Sequence, residues 1–331
     1  MTHMNRRALL AFGAAAAAAP RALARPFYPA PDRELMVPVR GGRVYVRTNG
    51  PLDGPRPPLV VAHGGPGGTH GSYLELLPLA NERGLILYDQ LDSGRSDQPN
   101  DPANWTVDRF VDELEPIRTA LGVPRWHLMG HSWGGTVALE YGARRPDALA
   151  GLCLASPLIS TRSWLNDTNA LRRTLPAEVQ AELTACETPV PPPVDRCGAA
   201  EMEFVRRFVV REPVPQAVTA YRAGPGDRGF NADLYRTMWG TTEFTATGTL
   251  QTYDGEPLLA RLDGPRTLVL VGQYDEARPV TAAVFAERIP EAEFAVVPGA
   301  AHSLHIDRPD ETLTILRAWL RRQDQIDAPR A

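Results

Sequence analysis

Lysine is absent from this 331-residue chain, so all 35 basic residues are arginine. That excludes a Schiff-base lysine, a P-loop lysine and a Ser–Lys dyad. Cysteine is scarce: three residues cannot build a disulfide scaffold or a cysteine-only zinc site. No apolar run reaches the roughly 18 residues that a membrane span needs. An excess of positive charge is also missing. Thirty-nine acidic against 35 basic residues give −4, which argues against a nucleic-acid binder with its clustered basic surface. What remains is a globular composition, 43% hydrophobic, in a length that fits one large domain or two ordinary ones.

The first 24 residues read as a leader. Asn5-Arg6-Arg7 precedes an apolar stretch from Ala8 to Ala19, then Pro20 and the small-residue pattern Ala22-Leu23-Ala24. A charged start, a short apolar core and an A-x-A end make a secretory signal, and the arginine pair points to the twin-arginine route. In a lysine-free chain, however, any basic pair is Arg-Arg. Residues 1–24 hold three arginines and no acid, so cleavage after Ala24 would leave a mature charge of −7. The expected location is outside the cytoplasm, in the periplasm.

From Glu34 onward the pattern is strand, turn, strand, with Arg43-Val44-Tyr45-Val46-Arg47 alternating as a half-buried strand does. Short continuous apolar runs follow at Leu59–Ala62, Leu85–Tyr88, Trp126–Met129, Leu152–Ala155, Thr267–Val271 and Phe294–Val297. Each leads into a glycine-rich turn or a helical stretch. Strands of this kind belong to a parallel sheet covered on both faces, hence a doubly wound α/β fold. Between Ser160 and Asp254 the rhythm stops, and polar helical stretches are interrupted by prolines. The domain reading is therefore a core over 25–159 and 255–331 with a helical cap inserted at 160–254. Cys186 and Cys197 lie in that insertion. A disulfide between them suits an exported protein, but two unpaired thiols fit the spacing equally well. Cys153, in an apolar run, reads as a small core residue.

Gly130-His131-Ser132-Trp133-Gly134 stands between an expected strand and an expected helix from Gly135 to Arg144. In that context G-x-S-x-G is a nucleophile elbow. A sharp turn lifts the Ser132 hydroxyl above the sheet, and the N–H of Trp133 points at a developing oxyanion. Asp275 follows one strand and His302 another. The order Ser132, Asp275, His302 is that of nucleophile, acid and base in α/β hydrolases. Asp254, the alternative acid, precedes the return of the sheet. His63, His127, His131 and His305 are less well placed than His302, which sits in a loop directly after a strand. His63-Gly64-Gly65-Pro66-Gly67 follows an earlier strand, where glycine lets Gly65 turn its N–H inward as a second oxyanion donor.

With these residues in view, the chain resembles the prolyl aminopeptidases (proline iminopeptidases) of the α/β-hydrolase superfamily. The resemblance rests on His63–Gly67, on Asp89-Gln90 with Gly94-Arg95-Ser96, on Gly130–Gly135, on Gly272-Gln273-Tyr274-Asp275-Glu276 and on His302. The insertion is most similar to the branch related to the tricorn-interacting aminopeptidase, through Tyr235–Phe244 and Thr247–Leu250. The resemblance implies an exopeptidase that removes an N-terminal residue, often proline, without metal or cofactor. It also implies that Glu243, Glu276 and Tyr235 hold the substrate ammonium. That role has a physical basis, because a cation entering a closed pocket must be paired. From composition alone, Glu243 and Glu276 read as solvated surface acids. Asp89 reads as a structural residue tying its loop. Two positions depart from the family pattern: Asp92 replaces a glycine, and Thr241-Thr242 replaces a proline-containing pair.

The expected function is release of proline, or another small or apolar residue, from short peptides or amino-acid amides. The expected partners are such substrates with a free N-terminus, and neither nucleic acid nor a membrane span. The alternative on the same triad is an esterase or lactonase acting on neutral substrates. Dehalogenases and epoxide hydrolases need an aspartate where Ser132 stands. A non-catalytic binding protein would be expected to lack a triad member, and none is missing.

Overall fold

The computed structural model describes residues 28–188 and 192–327. The leader expected over residues 1–24 lies outside them. The described residues form ten strands: β1 (Arg33–Val39), β2 (Gly42–Asn49), β3 (Leu59–Ala62), β4 (Leu85–Tyr88), β5 (Trp126–His131), β6 (Leu149–Ala155), β7 (Gly240–Thr242), β8 (Thr245–Ala246), β9 (Thr267–Gly272) and β10 (Glu293–Val297). Eight of them make one sheet in the order β1-β2-β4-β3-β5-β6-β9-β10. The first two pairings, β1–β2 and β2–β4, are antiparallel and the rest are parallel. This is the doubly wound, mostly parallel sheet that the apolar runs imply.

The reason is visible residue by residue. Val60, Ile86, Leu128, Leu154 and Val269 pack on one face with Phe110, Val137 and Phe285 from flanking helices. Their chain neighbours Val61, Leu87, Met129, Cys153 and Leu268 pack on the other face with Leu74, Leu313 and Trp319. Successive side chains of a strand point to opposite faces. A strand buried on both sides must therefore be apolar at every position. Two strands run further than their apolar runs. β6 starts at Leu149, paired with Trp126, and β5 continues through His131 to the residue before Ser132. Glycine and histidine at its end carry no hydrophobic signal.

After β6 the chain leaves the sheet. Helices Thr161–Arg172, Ala177–Cys186, Val194–Phe204, Gln216–Arg222 and Ala232–Met238 follow, then the small β7–β8 hairpin. The hairpin, over Gly240–Ala246, is a departure from an all-helical insertion, and its short polar strands have no period to reveal them. An isolated antiparallel bridge joins Ser160 to Asp254. It closes the neck of this excursion. A disulfide joins Cys186 and Cys197, tying the ends of two successive helices across the proline-rich loop. That settles a pairing that the spacing alone left open. Cys153 is a buried free thiol in the sheet.

Candidate active site

Ser132 sits where β5 turns into the helix Trp133–Ala143, with φ 58° and ψ −123°. A non-glycine residue held at positive φ is strained, and such strain persists only where the surroundings over-determine it. Here they do. A Cβ on Gly134 would stand 2.1 Å from the Ala62 carbonyl oxygen, so the helix packs hard onto the end of β3. Ser132 N donates to Ala155 O at 3.0 Å, while Ser132 O accepts from Leu158 N at 3.1 Å. The residue is clamped from both sides.

Asp275 and His302 follow β9 and β10, at the same edge of the sheet as Ser132. His302 Nδ1 donates to Asp275 Oδ1 at 2.9 Å. Asp275 is buried, and its other lone pairs are also taken. Ala277 N donates to Oδ1 at 2.9 Å, Gly272 N to Oδ2 at 3.0 Å, and the Ser156 hydroxyl also reaches Oδ2. Four donors on one carboxylate hold it in place. The His302 carbonyl accepts from His131 Nε2 at 2.8 Å, and His131 Nδ1 accepts from the Tyr73 hydroxyl at 2.9 Å. Burial first, and the neighbouring His302 second, lower the His131 pKa to about 3. His131 is therefore a neutral strut and not a base. Ser132 and His302 line the same pocket, and His302 Nε2 has Glu276 Oε1 at 3.8 Å as its nearest acid.

The expected oxyanion donors are Gly65 and Trp133. A Cβ on Gly64 would stand 3.0 Å from Ser132 Cβ, so this loop runs directly beside the serine. Gly65 has φ 118°, and a Cβ there would meet Gly68 N at 2.6 Å. Only glycine fits this turn. Among the described residues neither Gly65 N–H nor Trp133 N–H donates to a backbone carbonyl. Both donors stay free. Gln90 ties the two together: its backbone N–H donates to His63 Nε2 at 2.9 Å, and its side-chain amide donates to His63 O at 3.0 Å. Its Oε1 accepts from the Trp133 indole at 2.9 Å. One side chain thereby spans the glycine loop and the elbow.

Asp89 holds the adjoining loop, accepting from His70 N, His70 Nδ1 and Arg95 N at 2.7–2.8 Å. Burial alone would raise its pKa, but the charge and hydrogen bond of His70 outweigh burial and lower it. Asp92, where a glycine is usual, adopts φ 64°. Aspartate tolerates that conformation better than most residues. Its carboxylate is used as well, accepting from Asn100 N at 2.7 Å and from the Trp105 indole at 2.8 Å.

The remaining wall comes from the excursion. The Phe208 carbonyl accepts from both Glu276 N and His302 N, at 3.2 and 3.1 Å, and the Val209 carbonyl accepts from Ser303 N. These bonds dock the excursion onto the loops that carry Asp275 and His302. The pocket between them, about 430 Å³, includes Ser132, Trp164, Glu201, Tyr235, Glu243, Glu276 and His302 in its lining. The Tyr235 hydroxyl donates to Glu243 Oε1 at 2.7 Å. Burial raises the Glu243 pKa, while this bond and the nearby His302 pull it down in part. The Trp164 indole lies beside Glu243, short of full hydrogen-bond geometry. Glu276 is 1% exposed and, among the described residues, its Oε2 has no hydrogen-bond partner. Burial first, then repulsion by Glu243 and Asp275, hold its pKa well above the usual carboxylate range. These are not the solvated acids that composition suggests. A buried carboxyl oxygen without a hydrogen bond is costly to keep.

Residues 57–191 match the family model described as the alpha/beta hydrolase fold. Over 292 residues the chain is 36% identical to a proline iminopeptidase of Heyndrickxia coagulans, covering 87% of this chain and 98% of that one. The chain belongs to the proline iminopeptidase family. Among solved structures, the proline iminopeptidase of Mycobacterium smegmatis aligns with TM-score 0.78 at 33% identity, over 89% of this chain and 100% of that one. The structure titled VinJ aligns with TM-score 0.80 at 32% identity, over 88% and 99%.

Within this family site, several contributors escaped sequence reasoning. Glu201, on the helix Val194–Phe204, is a third pocket acid, and burial and the Glu243 charge raise its pKa. Nothing in Glu201-Met202-Glu203 marks it. Ser156 and Gln90 also went unassigned, although the Asp89-Gln90 pair was itself a visible signal. The competing residues have other partners, although His305 shares the pocket lining. Asp254 closes the neck and accepts from Glu256 N. His127 is buried against Trp319, and burial lowers its pKa to about 3. His305 stacks on Tyr73, with ring centres 4.4 Å apart. Among the described residues no group of three or more His, Cys, Asp or Glu could hold a metal, and no helix is long and apolar enough to cross a membrane.

Proposed function

We propose that the chain is a serine exopeptidase that releases an N-terminal proline, or another small or apolar residue, from short peptides or amino-acid amides through an acyl-enzyme. The observation that supports this reading is the buried Glu276 carboxyl beside Glu243, its Oε2 without a hydrogen-bond partner among the described residues, in one pocket with Ser132 and His302. In this reading Ser132 attacks the scissile carbonyl and His302 takes its proton. Asp275 holds the imidazole with its Nδ1 protonated, and the N–H groups of Gly65 and Trp133 receive the oxyanion. His302 then returns the proton to the leaving amine. Glu243 and Glu276 pair with the substrate ammonium while Tyr235 orients Glu243. A blocked N-terminus would leave both acids unpaired and be rejected.

Glu243→Gln tests the ammonium site. It keeps size and the acceptor for Tyr235 but removes one charge. A charge-assisted hydrogen bond contributes roughly 1.5–3 kcal/mol, so kcat/KM on a prolyl arylamide is expected to fall about ten- to hundred-fold. Hydrolysis of a small neutral aryl ester should barely change. Equal losses on both substrates would defeat the anchor role and favour the esterase alternative. The sign of the pH dependence also follows. Both carboxyls have raised pKa values, so the arylamide-to-ester ratio should fall on acidification at a pH above the ordinary glutamate range. In Glu243→Gln that fall should move to lower pH, because Glu276 loses a repelling neighbour.

We also propose export, supported by the leader pattern of residues 1–24 and by the Cys186–Cys197 disulfide, since such bonds persist in oxidising compartments. Residues 1–30 fused to a reporter should carry it out of a bacterial cytoplasm. Replacing Arg6 and Arg7 by Lys should block this if the route is twin-arginine. Retention of the unaltered fusion would remove the leader altogether.

A further inference from the structure

Among the described residues, Arg222 is a cation in the pocket lining that pairs with none of its acids. Arg222 ends the helix Gln216–Arg222 and belongs to the wall built by Gly68, Thr69 and Ser72, the continuation of the glycine loop. Its stem lies against Gly71, where a Cβ would meet Arg222 Cγ at 2.8 Å. Among the described residues Arg222 forms no ion pair, and none of the pocket carboxylates reaches it. Most other arginines in this chain pair with an acid or a carbonyl. A guanidinium left over in a pocket is a site for an anion.

The helix carrying it is held in place. The Tyr221 hydroxyl, one residue earlier, accepts from Arg47 Nη1 at 3.0 Å and contacts His70 Nε2 at 2.9 Å. His70 Nδ1 in turn donates to buried Asp89 at 2.8 Å. Arg95 lies over the Tyr221 ring, 4.5 Å from its centre. The Asp89 loop thus fixes the backbone from which Arg222 reaches the pocket.

The direction of a bound peptide then follows from contacts already described. Glu276 adjoins His302, and Ser132 adjoins Gly64, from which the loop runs on to Gly68 and the Arg222 wall. A substrate with its ammonium on Glu243 and Glu276 and its scissile carbonyl at Ser132 sends its leaving residue along that loop. Resting on the exopeptidase reading, we infer that Arg222 forms a carboxylate subsite that receives the free C-terminus of the leaving residue, which makes zwitterionic dipeptides the favoured substrate class. The charges of the pocket then mirror those of the substrate: acids for the ammonium, Arg222 for the carboxylate.

The test compares kcat/KM for Pro-Gly with that for Pro-Gly-amide, within each variant, so that a general loss of activity cannot imitate the effect. The wild type should favour the free acid about tenfold, toward the low end for a charge-assisted contact because Arg222 is part-exposed. Added salt should erode the preference. Arg222→Gln should bring the ratio close to one, and Arg222→Lys should retain part of it. A ratio near one in the wild type, or one unchanged in Arg222→Gln, overturns the subsite. Pro-Asp-amide offers a carboxylate on the side chain instead. If it matches Pro-Gly in the wild type and loses its advantage in Arg222→Gln, the site reads a side chain and the dipeptide assignment falls. A prolyl arylamide separates the two levels of the argument. No turnover of it defeats the exopeptidase reading itself, whereas turnover with a flat acid-to-amide ratio defeats only this inference.

Discussion

Ser132→Ala is expected to lower kcat on a prolyl arylamide by on the order of 10⁶-fold, the scale seen when the nucleophile of a serine protease triad is removed. The residual rate would come from the oxyanion donors and substrate binding. Stability should barely move. Ser132 Oγ makes no hydrogen bond among the described residues, and alanine keeps the Cβ that already stands at φ 58°. Loss of one such hydroxyl should lie within about 0.5 kcal/mol. The measurement is single-turnover and steady-state hydrolysis beside a thermal melt. A serine-reactive organophosphonate should label the wild type at Ser132 and leave the variant unmodified. An alanine variant that melts as wild type and keeps more than a few per cent of its activity would end the serine-hydrolase mechanism.

Asp275→Asn should be the second-largest effect, about 10⁴-fold in kcat by the tautomer argument. Each carboxylate oxygen of Asp275 accepts two donors: Oδ1 takes His302 Nδ1 and Ala277 N, and Oδ2 takes Gly272 N and the Ser156 hydroxyl. Asparagine has one oxygen for these four donors. If its amide nitrogen faces His302, the imidazole must carry its proton on Nε2, where it cannot accept from Ser132. If the nitrogen faces the other pair, the fixed Gly272 N–H meets an N–H head on. Either way, a buried donor is left unsatisfied, at about 1–3 kcal/mol. The variant should therefore melt lower as well as react more slowly, whereas Ser132→Ala should only react more slowly. Ser156→Ala gives the intermediate case. It removes one of the four donors without touching the imidazole, and should cost far less activity than Asp275→Asn. An Asp275→Asn enzyme within tenfold of wild type would show that His302 is oriented by something else.

Much of this was readable along the chain because the information is local. Leu59–Ala62, Leu85–Tyr88 and Leu268–Val271 are apolar at every position, and only a strand covered on both faces needs that. Ser132 and Gly65 are marked by neighbours within two or three residues, because a sharp turn makes its demands on adjacent backbone. The order of Ser132, Asp275 and His302 placed them at the ends of β5, β9 and β10 before any distance was available.

The tertiary structure decided what depends on chain crossings. Gln90 reaches the Trp133 indole across 43 residues, and Ser156 reaches Asp275 across 119. No periodicity or propensity encodes such pairs, since each residue alone is an ordinary polar residue. The same holds for Cys186 and Cys197, whose spacing permits a bond but whose approach is set by how two helices turn around the proline-rich loop. Charge is the sharpest case. Glu276 and Arg222 are unremarkable letters in a chain with 39 acidic and 35 basic residues. Folding buries the first without a partner for its Oε2 and sets the second, unpaired among the described residues, on another wall of the same pocket. Water would have solvated both in the extended chain. Excluding that water from Glu276 turns an ordinary acid into a buried one with a raised pKa, and only the packing of the excursion on the sheet does this.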